Sequence, residues 1–262
     1  MALELGLKGR KTLVTGASKG IGKAIAERLA AEGCDVTLVA RSGAEMERAA
    51  DDLRRRHGVA VRVYAMDLAD GDNPKQLARE HADLDILVNN AGAIPRGTLL
   101  EVDEERWRVA FDLKVFGYIN MCREFYRVFK ARGRGVIVNI LGNGGERVDY
   151  GYICGAAGNA GLMAFTRALG GGAHKDGIRV VGINPGAIAT ERLVKLMRHE
   201  AETRHGDAER WRELFAPLPY GRAGTPQEIA DMAAFLASDK SAYTNGTIVT
   251  IDGGLCHTGS LL

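Results

Sequence analysis

The chain has 262 residues, 46% of them hydrophobic and 26% charged, with a formal net charge of +2. Such a chain can bury one large apolar core without disulfide or metal staples, and its composition excludes a disordered or fibrous polymer. With 35 basic against 33 acidic residues there is no global field to draw in nucleic acid, and the one basic run, Arg54-Arg55-Arg56, reads as a solvated helix face.

Short apolar runs alternate with longer amphipathic ones along the chain. Lys11 to Thr15 is predicted as a strand, followed by a helix from Gly20 to Glu32 that Gly33 ends. Asp35 to Ala40 is the next strand, then a helix from Ala44 to His57 ended by Gly58, and an alternating strand from Val59 to Ala65. Asn73 to Ala82 reads as a helix with Pro74 in its first turn, where proline is tolerated. Leu84 to Val88 is a buried strand, Asp103 to Arg132 one long helical stretch, and Gly135 to Leu141 a strand. Gly158 to Lys175 is a helix, Ile178 to Ile183 a strand, Pro226 to Ala237 a helix and Thr247 to Ile251 the last strand. Strand–helix alternation of this kind implies an α/β fold with a doubly wound parallel sheet covered on both faces. No repeat, linker or low-complexity run divides it, so residues 1–262 are read as one domain.

One segment, Thr190 to Phe215, stands outside the alternation: helical in pattern, charged, and inserted after a strand end. Ligands of open α/β sheets bind at the carboxyl ends of strands, so residues 190–215 are expected to form a substrate lid, with a solvated helix pair as the alternative. Its Leu193, Leu196, Met197, Trp211, Leu214 and Phe215 fit either an apolar ligand or a local core. Cys34, Cys122, Cys154 and Cys256 are scattered without a CxxC pair, so neither a metal site nor a disulfide is expected. MALELGLKGRK holds no apolar core of signal-peptide length, and no run of about 18 apolar residues exists to span a membrane. The expected location is cytoplasmic, without membrane or nucleic-acid partners.

After the first strand comes Thr15-Gly16-Ala17-Ser18-Lys19-Gly20-Ile21-Gly22. Glycines between a strand and a helix allow a tight turn and close backbone approach to a pyrophosphate, which the helix N-terminus favours. The second strand ends in Ala40-Arg41-Ser42, where an acidic residue would bond a ribose 2′-hydroxyl and repel a 2′-phosphate. Arg41 can instead fork onto that phosphate, and Lys19 adds a second charge, so NADP(H) is expected rather than NAD(H). Asp67 and Leu68 follow the third strand; Asp67 suits either the adenine amino group or a helix N-cap.

These residues resemble the short-chain dehydrogenase/reductase family, almost from Gly9 to Gly254. Thr15 to Gly22 is similar to its TGxxxGxG motif, Asn89-Asn90-Ala91-Gly92 to its NNAG motif, and Pro185-Gly186 with Ile188 and Thr190 to its carboxamide-holding segment. Phe235 to Asp239 and Asp252-Gly253-Gly254 match its C-terminal part. The resemblance implies a Rossmann-like sheet of about seven strands, nicotinamide cofactor use, and a homotetramer or homodimer. It implies cofactor contacts at Gly16, Ser18, Lys19, Gly20, Ile21, Gly22, Arg41, Asp67, Leu68, Asn89, Ala91, Gly92, Asn159, Pro185, Gly186, Ile188 and Thr190.

The family's chemistry uses Asn, Ser, Tyr and Lys, and this sequence departs from all four. Matching Ala160 to Thr166 to the run after the family lysine puts Asn159 at the lysine and Gly155 at the tyrosine. Ile137 to Leu141 puts Gly142 at the serine, 13 positions before Gly155. Asp112-Leu113-Lys114 puts Asp112 at the asparagine, as either a buried acid or a helix residue paired to a cation. The literal YxxxK, Tyr126 to Lys130, lies before the fifth strand and reads as coincidence. Gly155 offers no proton, and Asn159 no charge to depress a neighbour's pKa.

Tyr152 is the foremost substitute proton donor, in a glycine-rich loop from Gly142 to Gly158 that also holds Glu146, Arg147, Asp149 and Tyr150. Arg96, just past the NNAG motif, is a further group able to face the substrate. The reading is an NADP(H)-dependent oxidoreductase acting on a carbonyl, alcohol or enone with rearranged acid–base residues. A non-catalytic nucleotide-binding sensor or partner subunit is the first alternative, and a non-redox lyase or isomerase the second.

Overall fold

The computed structural model of the chain describes residues 4–258. Seven parallel strands form one sheet: β1 (Lys11–Thr15), β2 (Asp35–Ala40), β3 (Val61–Ala65), β4 (Ile86–Asn89), β5 (Gly135–Ile140), β6 (Ile178–Pro185) and β7 (Ile248–Ile251). Their order is β3-β2-β1-β4-β5-β6-β7. The chain winds outward one way from β1 and the other way from β4. A crevice therefore opens at the carboxyl ends of β1 and β4, where the winding reverses.

The central strands read as unbroken apolar runs because helices cover both sides. On one face α1 (Gly20–Ala31), α2 (Gly43–His57) and α8 (Pro226–Ala237) pack Ile25, Leu29, Met46 and Ile229 against Val14, Leu38 and Val138. On the other, α3 (Asp72–Glu80) and α5 (Gly117–Arg132) bring Leu77, Met121, Phe125 and Phe129 onto Leu13, Leu87 and Ile137. Gly58 and Gly133, at φ 66° each, end α2 and α5 in the left-handed conformation that glycine adopts without a Cβ penalty.

Most predicted elements stand within a few residues of their expected bounds; two do not. The stretch from Asp103 to Arg132 is not one helix. It is α4 (Glu104–Phe111), a π-helical turn (Asp112–Phe116) and α5. A π-turn inserts an extra residue per turn and re-aims the side chains it carries, here Lys114. The helix expected at Gly158 starts earlier, as α6 (Ile153–Ala173). Glycine disfavours a helix interior, but Gly158 faces Val115, Ile94 and Phe111 at 3.5–3.7 Å from where a Cβ would stand, so packing decides.

After β6, α7 (Glu191–His205) and a 3₁₀ stretch (Ala208–Phe215) fold on each other around Ala201, Trp211 and Phe215. Among the described residues no helix is long and apolar enough to cross a membrane.

Candidate functional site

Gly16 (φ 64°) and Gly20 (φ 58°) bend the chain from β1 into α1. A Cβ at Gly16 would stand 2.9 Å from the Ala91 backbone, and one at Gly20 3.3 Å from Thr190, so both positions need glycine on conformation and on space. Lys19 occupies the N-cap of α1 without a side-chain cap bond, so side-chain capping leaves the first-turn N–H groups of α1 free for an anion. Gly22 does not front the crevice: its Cα packs onto the Gly16 carbonyl and Asn90, holding turn and helix together.

Asn90 is a residue that the motif contained but whose role sequence reasoning missed. Its amide Nδ2 donates to the carbonyls of Thr15 and Gly16 at 3.1 and 3.2 Å, and its backbone N–H donates to Thr15 Oγ1 at 2.8 Å. It is the clamp that sets the glycine turn against β4. Asn89, expected as a cofactor contact, instead lies beneath the cleft. It is fully buried, donates to Asn139 Oδ1 at 3.0 Å, and Asn139 donates on to Thr166 Oγ1 at 3.0 Å. The alternation of β4 turns Asn89 into the sheet layer, where it ties β4, β5 and α6.

Arg41 and Ser42 stand at the end of β2. Arg41 is 68% exposed at its side chain and reaches only a 3.9 Å approach to Asp67, leaving its guanidinium free for a phosphate. Asp67 is not the N-cap of α3, which starts at Asp72; its Oδ1 accepts from the Ala69 N–H at 3.1 Å within a turn that also lines the cleft. Leu68, buried beside Gly117, and Ala91 and Gly92 line the same wall.

On the far side, Gly142 opens onto the Asn159 side chain, 3.0 Å from where a Cβ would stand. Asn159 is buried and its Oδ1 has no protein partner. Tyr152, at the N-cap of α6, folds its ring across Gly155, where a Cβ would run into the ring carbons. The phenol thus occupies the volume of a side chain at position 155. Burial pushes the Tyr152 phenol up from its ordinary pKa, while the Arg192 and Arg96 charges pull it down.

Asp112 is exposed and makes no ion pair among the described residues, so it is neither a buried acid nor a paired helix residue. The π-turn carries it outward and brings Lys114 to the cleft floor instead, 6% exposed, with Nζ 2.7 Å from both Tyr118 Oη and the Ile140 carbonyl. The spacing of a regular helix hid this, because only the inserted residue puts Lys114 there.

Around Tyr152, Arg96 bonds Asp149 at 2.9 Å and stands 5.6 Å from the ring centre. Arg147 and Tyr150 also face the cleft, whereas Glu146 turns away to accept from Thr250 Oγ1 at 2.8 Å. Tyr126 and Lys130 both bond Asp176, at 2.6 and 3.1 Å, in a surface cluster outside the cleft. Pro185, Gly186, Ile188 and Thr190 form the remaining wall; Thr190 also caps α7, accepting from the Leu193 N–H at 3.4 Å. From the inserted segment Leu193 and Leu196 front the cleft, while Met197, Trp211, Leu214 and Phe215 pack among themselves.

The cleft these residues enclose has a volume of about 1200 Å³, beyond the ~300–1,000 Å³ of a small-molecule pocket. The glycine cradle, the free helix N-terminus, the exposed Arg41 and the orphaned Asn159 oxygen are a donor and acceptor set that fits a phosphorylated dinucleotide.

A family profile described as Enoyl-(Acyl carrier protein) reductase matches residues 16–256. The chain is 36% identical over 253 residues to a galactitol 2-dehydrogenase (L-tagatose-forming) of Cereibacter sphaeroides, covering 95% of each. It is 34% identical over 260 residues to the 3-oxoacyl-(acyl-carrier-protein) reductase of Escherichia coli, covering 96% of this chain and 99% of that one. The solved structure of L-sorbose reductase from Gluconobacter frateurii, complexed with NADPH and L-sorbose, superposes with a TM-score of 0.93 at 31% identity, over 98% of this chain and 100% of that chain. With sheet order, glycine turn and these likenesses in agreement over nearly the whole chain, it belongs to the short-chain dehydrogenase/reductase family.

Proposed function

We propose that the chain is an NADP(H)-dependent oxidoreductase acting on a carbonyl, alcohol or enone group, with Tyr152 as its proton donor and acceptor. The observation that carries this reading is the Tyr152 ring lying in the space of a side chain at Gly155. The proton-handling group is moved three residues along the chain and keeps its place in the cleft.

Gly16, Ser18, Lys19, Gly20 and Ile21 would hold the pyrophosphate; Arg41, with Lys19 near, would hold the 2′-phosphate. Asp67 and Leu68 would border the adenine, Ala91, Gly92 and Asn159 the ribose on the nicotinamide side, and Pro185, Gly186, Ile188 and Thr190 the nicotinamide. NADPH bound in NADPH-complexed L-sorbose reductase and actinorhodin polyketide ketoreductase, both similar to this chain, supports the choice of nucleotide. When bound, that cofactor supplies hydride.

The protein's own part is the proton. Burial keeps Tyr152 protonated at neutral pH, ready to donate to a developing alkoxide. The positive groups beside it, Arg96 and Arg192, stabilise the phenolate left behind. Residues 190–215 act as a lid that presents Leu193 and Leu196 to the substrate. The chain works as a homotetramer or homodimer; the bare side chains of Val109 and Phe116 on the helical stretch after Asp103 support self-association.

The test is NADPH consumption over a panel of ketones, aldehydes and enones, with Tyr152→Phe beside the wild type. The variant is expected to lose about 10²–10⁴-fold in turnover. An unchanged rate removes Tyr152 from the chemistry. Tight NADPH binding with no turnover on any of the panel would turn the reading toward a nucleotide sensor.

A further inference from the structure

Among the described residues Lys114 is the one buried lysine that lines the cleft, and the only partner its charge finds is the Tyr118 ring, with its centre 4.2 Å from Nζ. Among the described residues it makes no ion pair, and burial alone pulls its pKa from 10.5 to about 7. Its two hydrogen bonds go to Tyr118 Oη and the Ile140 carbonyl, at 2.7 Å each. Tyr118 Oη also donates to that carbonyl, at 2.6 Å. Removing the amine would therefore leave neither the carbonyl nor the phenol without a partner. An amine buried without a carboxylate costs stability whenever it is charged.

The amine also has capacity to spare. An ammonium carries three N–H donors, and the structure spends two. Gly92 gives room for the stem: a Cβ there would stand 2.6 Å from Lys114 Cδ. Lys114, Gly92, Gly142, Asn159 and Tyr152 line one cleft, and Asn159 is where the resemblance expects a cation.

We propose that Lys114 supplies, from the π-turn of a different helix, the ammonium that Asn159 lacks, and that its unspent N–H binds a ribose hydroxyl on the nicotinamide side of the dinucleotide. This rests on the NADP(H) reading above. Asn159 lines the same cleft with a buried Oδ1 that has no protein partner, and it would serve as the acceptor of the pair. The tyrosine and the cation reach the site from the N-cap of α6 and from the π-turn, rather than one turn apart on a single helix.

The charge state of Lys114 makes the inference measurable. Asp112 and Tyr118 share its helical stretch, with Cys122 further along it, Tyr152 lines the same cleft and Cys154 follows on α6; β5 carries no titratable group. Burial pushes Tyr118 well above its ordinary value, Cys122 to about 12, and Tyr152 and Cys154 upward. All four are pushed up from ordinary values of 9.0 or 10.0, so a pH effect centred near 7 that vanishes in Lys114→Met belongs to Lys114.

The experiment is the Kd for NADPH, by fluorescence, at intervals from pH 6 to pH 9, for wild type, Lys114→Met and Lys114→Arg, with the Tm of each. Lys114→Met is expected to bind about tenfold or more weakly at pH 6. The gap should shrink as the wild-type amine loses its proton toward pH 9. The Tm of Lys114→Met is expected to equal or exceed that of wild type at pH 7, since the folded chain is relieved of a buried charge, and Lys114→Arg is expected to keep at pH 9 the affinity that wild type shows at pH 6. Equal affinity and equal pH dependence in wild type and Lys114→Met would overturn the inference. So would a lower Tm with unchanged affinity, which marks a structural lysine. Failure of the wild type itself to bind NADPH is a different result: it removes the NADP(H) reading and this inference with it.

Discussion

Tyr152 and Gly155 share one volume, and that sharing makes the pair testable. Gly155→Ala puts a methyl into the Tyr152 ring. Overpacking of this kind costs about 1–3 kcal/mol, and the ring must leave its place, so turnover should fall with stability. In urea denaturation the double variant Tyr152→Ala with Gly155→Ala is expected to cost less than the sum of the singles, because the methyl then has room. Simple additivity would show that the ring does not fill that space. Arg41→Ala is a second local test. It should weaken NADPH by roughly tenfold to a hundredfold and leave NADH unchanged, read by titrating both nucleotides. At this scale part of the cleft lining was legible: Gly16, Gly20, Arg41, Ala91 and Gly92 stand on one cleft, as their spacing led us to expect. Asn89 and Lys114 were not, because strand alternation and a one-residue helix insertion decide which way a side chain points, and neither has a compositional sign.

Helices α6 and α8 mark the two ends of what pattern alone can reveal. α8 stands at the bounds expected for it, and the structure adds a capping box between Thr225 and Glu228 at its start. Arg222 first, and then the Thr225 backbone, hold the Glu228 carboxyl down from 4.5 to about 2. A depressed carboxylate contributes stability above its unfolded pKa and loses it as pH falls through the folded one. The Tm gap between wild type and Glu228→Gln should therefore be full at pH 6 and close between pH 4.5 and about 2. A gap that persists at pH 2 would mean the ionised carboxylate is not its source. α6 hid its first turn behind glycines at 155 and 158, residues that read as loop until the neighbours that crowd them are known.

The whole molecule is one sheet with a crevice set by topology, and its stability should report what fills that crevice. A ligand at a hundred times its Kd adds about 2.7 kcal/mol to a folded chain that alone binds it. NADPH is expected to raise the Tm more than NADH at equal concentration. Self-association belongs to this scale too: sedimentation should find a dimer or tetramer, and Phe116→Asp should shift it toward the monomer; a monomeric wild type would count against the assembly. Alternation of strand and helix made the architecture readable from the start. It did not announce the π-turn, and the π-turn is what places a cation in the cleft.

The most direct test of the account is a titration of the purified protein with NADPH and with NADH, followed by nicotinamide fluorescence. Saturable binding of both is expected, NADPH the tighter, with the preference lost in Arg41→Ala. Failure of both nucleotides to bind would contradict it.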